Sequence, residues 1–252
     1  MITIVTVCRN SESTIRRALD SLVLQTDQDF NLIVKDGMSG DGTLELIEKY
    51  RTFFGERMEI LVGTDSGIYD ALNIAIDRVP DGYIGILHSD DTYDECAVEN
   101  FKKAIKSSAS DVYYGICRHC NSDGEEQCLL RYSDSYLRTK SLVTLEHPAT
   151  LVSKECFRLH GGFSRKYRIA SDYEFFLRLK YRDCRFLAID RVIATHWSGG
   201  ISQAKVISSH IEMVRIKQTY KLMTNIEALL SVCWIAGSVA IKKYAIGIFR
   251  RG

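Results

Sequence analysis

The residues best able to do chemistry in this 252-residue chain sit where apolar runs stop. "GILHSDDTYDE", residues 85–95, ends an apolar stretch in His88, Ser89, Asp90 and Asp91. Adjacent carboxylates repel unless a positive charge offsets them. A hard divalent cation takes oxygen ligands and commonly binds substrate phosphates through only one or two protein carboxylates. The competing reading is that the pair caps a helix starting near Glu95. In "DGMSGDGT", residues 36–43, Asp36 leads and Gly37, Gly40 and Gly42 follow. That is the wrong order for the G-x-G-x-x-G turn that approaches a pyrophosphate. A carboxylate directly after a strand repels phosphate but can accept hydrogen bonds from a nucleobase or ribose. Alternatively the stretch is a turn in which Asp41 or Thr43 caps the next helix. In "IASDYEFFLRL", residues 169–179, Ser171 and Glu174 have the spacing of a capping box. Asp172 is then either a first-turn acid or a base directed into a cleft. His147 in "EHPA" and His196 in "THWSGG" adjoin small or glycine-rich turns rather than helical faces. His196 is the better extra metal ligand, because imidazole complements carboxylates around manganese.

Elements must hold these groups together, and their pattern is legible up to about residue 115. Short β-branched runs alternate with amphipathic stretches, the signal of βαβ units. Strands are expected at Ile2–Val7, Asn31–Lys35, Met58–Val62 and Tyr83–Leu87, with another near Asp111–Tyr114. Ile15, Ala18, Leu19, Leu22 and Val23 mark one helical face, and Ile68, Ala71, Leu72, Ala75 and Val79 another. Ligands of open α/β sheets bind beyond the carboxyl ends of the strands. The segments there are "CRN", "DGMSGDGT", "TDSGIYD" and "HSDD", all polar and small. Beyond residue 115 the alternation weakens.

Composition excludes some classes. Lys and Arg (33) balance Asp and Glu (32), so no global positive field points to nucleic acid. Met1 leads directly into a strand-like "ITIVTV", so the eight cysteines are expected to be reduced cytosolic thiols. Cys117 and Cys120, with Cys128 nearby, form no complete zinc set.

Taken in order, "TIVTVCRN", "VKDGMSGDGT", "TDSGIYDALN", "LHSDD", "HPATLV", "GGF" and "ASDYEFFLRL" resemble the family 2 inverting glycosyltransferases, in the branch that builds bacterial O-antigens and other surface polysaccharides. The resemblance covers about residues 1–205. It implies a GT-A fold, a Rossmann-like, mainly parallel sheet flanked by helices. Residues 1–115 would be the nucleotide-sugar-binding half and 116–205 the acceptor half. It further implies a nucleotide-diphosphate sugar donor, a UDP-sugar first among the candidates, bound by Val7, Arg9, Asn10, Asp36, Asp65, Asn73, Ser89 and Asp90. Asp36 would meet the base. Asp90 would bind Mn2+ or Mg2+, with His196 as a further ligand, and Asp172 would be the general base. His147 and Gly162 would face the acceptor. His88 departs from the pattern, since it stands where the family's D-x-D motif has its first acid. The Q-x-x-R-W motif of processive synthases is absent, which favours transfer of a single sugar.

Residues 206–252 are expected to form a helical tail. Its apolar core, Ala228 to Ile241, would span only about 21 Å as a helix, short of the roughly 30 Å of a bilayer core. Flanked by Lys242, Lys243, Arg250 and Arg251, it reads as an anchor on the inner face of the cytoplasmic membrane, suited to a lipid-linked acceptor. A buried helix or a dimer contact is the alternative. For the whole chain the alternatives are a sugar-1-phosphate nucleotidyltransferase and an inactive sugar-nucleotide-binding scaffold.

Overall fold

The computed structural model describes residues 1–142, 145–198 and 205–249. "GGIS" at 199–202, Arg250, Arg251 and the side chains of Lys242 and Lys243 lie outside the described residues.

Strands β1 (Ile2–Cys8), β2 (Asn31–Asp36), β3 (Met58–Val62) and β4 (Tyr83–Ile86) pair in the order β3-β2-β1-β4, all parallel. β1 is buried along its whole length, as a β-branched run covered on both faces should be. Its side chains alternate between two cores: Ile2 and Ile4 pack with one, Val5 and Val7 with the other. Helix α1 (Ile15–Val23) joins the first core through Ile15, Ala18, Leu19 and Leu22. Those are the helical spacings that put four side chains on one face, and burying each contributes roughly 1.5–3 kcal/mol. Helices α2 (Thr43–Lys49) and α3 (Arg51–Phe54) follow β2. Helix α4 (Ile68–Arg78) packs against the opposite core through Ala71, Leu72, Ala75 and Ile76 and stops before Pro80, which cannot continue a helix.

Antiparallel pairing enters with the second half. After β5 (Thr92–Tyr93) and α5 (Ala97–Ser107) come β6 (Val112–Cys120), β7 (Glu126–Leu130), β8 (Thr150–Ser153), α6 (Lys154–His160), α7 (Ser171–Tyr181) and β9 (Phe186–Trp197). β8 lies antiparallel between β4 and β6, β9 runs parallel to β6, and β5 closes the order antiparallel to β9. Two of these registers bring polar side chains together. β4 against β8 puts the segment before β8, with His147, beside the end of β4, with His88. Thr92 opposite Thr195 sets Asp91 beside His196.

Helices α8 (Val206–Thr219) and α9 (Asn225–Phe249) end the chain. Lys217 on α8 is fully buried, and its ammonium donates to the carbonyls of Leu137 and Thr139. Burial lowers it to about 8. No helix among the described residues is long and apolar enough to cross a membrane.

Candidate active site

The loops beyond β1, β3 and β4 open on one edge of the sheet into a cleft of about 720 Å³. From the first half of the chain it is lined by Val7, Arg9 and Asn10, Asp65 to Tyr69, and His88 to Asp91, and from the second half by Glu146 to Pro148, Arg168, Ile169, Asp172 and His196. The cleft thus brings together nine residues predicted from sequence: Val7, Arg9, Asn10, Asp65, Ser89, Asp90, His147, Asp172 and His196.

Asp36, Asn73 and Gly162 are not among the residues lining this cleft, and each has a local bonding or packing role. Asp36 is fully buried, and its carboxylate accepts from the Ser39 amide at 2.8 Å and the Ser39 hydroxyl at 2.5 Å. Ser39 Oγ in turn accepts from the Asn10 amide at 2.8 Å, and the Asn10 side chain accepts from the Gly40 amide at 2.9 Å. Asp36 therefore shapes the loop that presents Asn10, which sits at a left-handed φ of 52° that asparagine tolerates. The Asn73 amide pairs both ways with the backbone of Phe163, at 2.9 and 2.8 Å. A Cβ on Gly162 would stand 2.3 Å from Asn73 Oδ1, so glycine leaves room for that side chain.

Asp65 is held from below. The buried Lys35 ammonium donates to the carbonyls of Asp36 and Gly63 and to Asp65 Oδ2 at 3.0 Å, while Asp65 Oδ1 accepts from the Gly67 amide at 3.1 Å.

The paired aspartates behave differently from each other. Asp91 is 1% exposed; its Oδ1 accepts from the Trp197 amide and lies 3.0 Å from His196 Nδ1, whereas its buried Oδ2 has no partner. Burial opposes charge on His196, but the Asp91 carboxylate outweighs it and pushes the imidazole up to about 9. Asp91 does not cap α5, whose first turn is closed by the Asp94 carbonyl and carboxylate. Asp90 is part-exposed in the cleft, and its carbonyl accepts from Arg17, which stacks 3.9 Å over Trp197. The cleft lining holds five carboxylates, Asp65, Asp90, Asp91, Glu146 and Asp172, beside Arg9, Arg168 and a protonated His196, while Lys35 pairs with Asp65. Part-exposed Asp90 beside the unpartnered Asp91 Oδ2 is where a cation would be held.

The residues fit a divalent ion of that kind. Asp90 and the unpartnered Asp91 Oδ2 are hard oxygen donors with an imidazole beside them. Among the described residues no three His, Cys, Asp or Glu form a ready-made cage, as expected of a site that substrate phosphates and water complete. Cys117 and Cys120 are free and buried on β6, away from any such set.

Asp172, the second residue of α7, is fixed from both sides. Tyr69 Oη lies 3.0 Å from its Oδ1 and 2.6 Å from the Ile169 carbonyl, so one proton serves two acceptors in turn. His147 Nδ1 is 3.4 Å from its Oδ2. Burial pushes His147 down to about 4 although Asp172 opposes the shift, so this ring is neutral at neutral pH. His88 packs edge-on against it, ring centroids 5.4 Å apart, and His88 Nδ1 and His147 Nε2 are both buried without partners. The expected capping box is not formed: Ser171 Oγ donates to the Ser164 carbonyl, and Glu174 pairs with Arg178 and Tyr220.

Residues 3–156 match the model of glycosyl transferase family 2. The chain belongs to that family. A PGL/p-HBAD biosynthesis glycosyltransferase of Mycobacterium tuberculosis is 28% identical over 184 residues, 71% of this chain and 69% of the relative. The chondroitin synthase of Pasteurella multocida is 29% identical over 192 residues, 73% of this chain but 20% of the synthase. S. aureus TarS 1-349 in complex with UDP-GlcNAc superposes with a TM-score of 0.67 at 18% identity, over 91% of this chain and 69% of that one. The mannosyltransferase PcManGT of Pyrobaculum calidifontis, in complex with GDP-Man and Mn2+, gives 0.69 at 14% identity, over 95% and 75%. These two likenesses establish the GT-A fold. The family match decides for a glycosyltransferase and against a sugar-1-phosphate nucleotidyltransferase.

Tyr69, Glu146 and Arg168 also line the transferase cleft and were not singled out from sequence. Tyr69 and Glu146 lie inside "TDSGIYD" and "EHPA", so the signal was position beside a polar turn. Arg168 had none.

Proposed function

We propose that this transferase moves one sugar, with inversion, from a nucleotide-diphosphate sugar to a hydroxyl of a saccharide acceptor in surface polysaccharide synthesis. One observation carries the reading: a carboxylate fixed by Tyr69 and His147 lines the same cleft as the Asp90–Asp91 pair. Asp172 takes the proton of the acceptor hydroxyl as that oxygen attacks the anomeric carbon from the face opposite the nucleotide. Arg9 and Asn10 would meet the nucleotide, and Asp90 and Asp91 Oδ2 would hold Mn2+ or Mg2+, with His196 bracing Asp91 through Oδ1. A bound divalent ion supplies charge stabilisation to the leaving diphosphate. Relatives named for PGL/p-HBAD and chondroitin synthesis, and neighbours solved with UDP-GlcNAc and GDP-Man, support a nucleotide-sugar donor. A panel of UDP-, GDP- and dTDP-sugars with p-nitrophenyl glycosides as acceptors, with Mn2+, Mg2+ or chelator, tests this through nucleotide release. Metal-dependent release with an inverted product is expected; release unaffected by chelator would remove the metal, and a retained anomer would remove the mechanism.

The tail supports work at the inner face of the cytoplasmic membrane on a lipid-linked acceptor. Ile226, Leu229, Leu230 and Trp234 are all more than 60% exposed and recur at helical spacing along α9. Exposed apolar side chains of this kind support a membrane-surface contact. Replacing Leu229 and Trp234 together by Glu should abolish sedimentation with anionic vesicles and leave turnover of a soluble acceptor unchanged; unchanged sedimentation would refute the anchor.

A further inference from the structure

Helix α7 begins without a cap of its own: Ala170 precedes it and offers no side-chain acceptor. The backbone just before it is held from α8, whose Glu212 lies 42 residues beyond Ala170. The amides of Arg168, Ile169 and Ala170 converge on the Glu212 carboxylate, the first on Oε1 at 3.0 Å and the other two on Oε2 at 2.9 Å each. Consecutive backbone N–H groups make an anion-binding concavity, and here the anion is a side chain of the protein itself. The gripped segment is the cleft wall. Arg168 and Ile169 line the cleft, the Ile169 carbonyl accepts from Tyr69, and Asp172 follows two residues after Ala170. α8 cannot drift from this position, because buried Lys217 is bonded to the 137–139 backbone, and Tyr220, just beyond α8, donates to Glu174 on α7 at 2.9 Å.

We infer that Glu212 is a positioning residue for Asp172: its carboxylate fixes the backbone of 168–170 and so sets where the base and its Tyr69 partner stand. The first tail helix is then part of the catalytic body. This rests on Asp172 being the base, and the test keeps the two claims apart. Single-turnover nucleotide release from the donor panel, enzyme in excess, is measured for the full-length wild type, Glu212→Gln, Asp172→Asn and the double variant. UDP and GDP affinity is followed by calorimetry. Glu212→Gln should slow release about 10- to 100-fold, the scale of a small misplacement of a reacting group, with nucleotide affinity within twofold of wild type. In the double variant it should add nothing to the loss from Asp172→Asn. Full release by Glu212→Gln beside an inactive Asp172→Asn overturns the positioning role and leaves the base in place. An equal further loss in the Asp172→Asn background, or a parallel loss of nucleotide affinity, reduces Glu212 to a structural cap. Full release by Asp172→Asn overturns the base itself, and the positioning role with it. Independently of turnover, Glu212→Gln should speed amide exchange across 165–171 and not across β1 to β4; unchanged exchange at 165–171 also overturns the inference.

Discussion

In the half built from β1 to β4, the cleft residues follow directly on the strands that present them. Arg9 and Asn10 leave β1, Asp65 leaves β3, Ser89 and Asp90 leave β4, and neighbouring loops brace them. In the other half nothing is local. Asp172 is oriented by Tyr69, about a hundred residues earlier, and by His147; His196 is oriented by Asp91; and the backbone before α7 is held by Glu212. The proposed nucleotide side is a property of strand ends, whereas the proposed reacting side is assembled by long-range polar pairs. Pairs of this kind lose a buried partner when one member changes, so the second half should be the more fragile in function.

Substitutions can break that contrast. The largest effect is expected at Asp90, which stands on the nucleotide side but bears on the leaving group. Asp90→Asn should cut nucleotide release about 100- to 1000-fold, the loss typical when a transition-state charge stabiliser is removed, and should abolish the response to Mn2+. A normal metal response would move the cation elsewhere.

The two cleft histidines, His147 and His196, test the reacting side through pH. His147 is held below its ordinary value, so its neutral form is favoured by folding. Its contribution is complete above about 6.5 and is lost as pH falls towards 4. His196 is held above its ordinary value, so its contribution is complete below about 6.5 and is lost as pH rises through about 9. Thermal unfolding should therefore show stability falling by about 1–3 kcal/mol on each side. His147→Asn should flatten the acid limb and His196→Gln the alkaline limb; if either variant kept its limb, the corresponding pairing would be wrong.

The smallest effect belongs to Asp36, if its work is confined to a loop. Asp36→Asn should cost about 1–2 kcal/mol in denaturant unfolding, as for a buried hydrogen bond to a charged group. Its effect on kcat should stay under about threefold, far below a misplaced catalytic group. A loss comparable with that of Asp90→Asn would return Asp36 to the nucleotide.

The same contrast governs what the sequence could reveal. β1 to β4, α1 and α4 were legible because short apolar runs, fully buried in β1, alternate with helices that each carry a clean apolar stripe. β9 was not, since most of it is half-buried or exposed and carries no strict alternation. Polar residues after strands pointed to the cleft but not to the direction of each side chain. Asp36 turns into Ser39, and Asn73 turns to Phe163, for reasons of local bonding that spacing does not encode. Glu212 was invisible because an acid within a helix of mixed composition looks like any solvated one until the partner backbone is in place. Ser171 and Glu174 showed the opposite failure: the pattern of a cap was present, but tertiary partners took both side chains.

The proposed division of labour turns on Asp172 performing the chemistry without binding the donor. Asp172→Asn probes this, with donor affinity and transfer to a p-nitrophenyl glycoside measured on the same preparation. Donor affinity should stay close to wild type while transfer falls at least about 100-fold, the lower range for loss of a general base. Transfer at the wild-type rate, or lost only in step with donor affinity, would take the base away from Asp172.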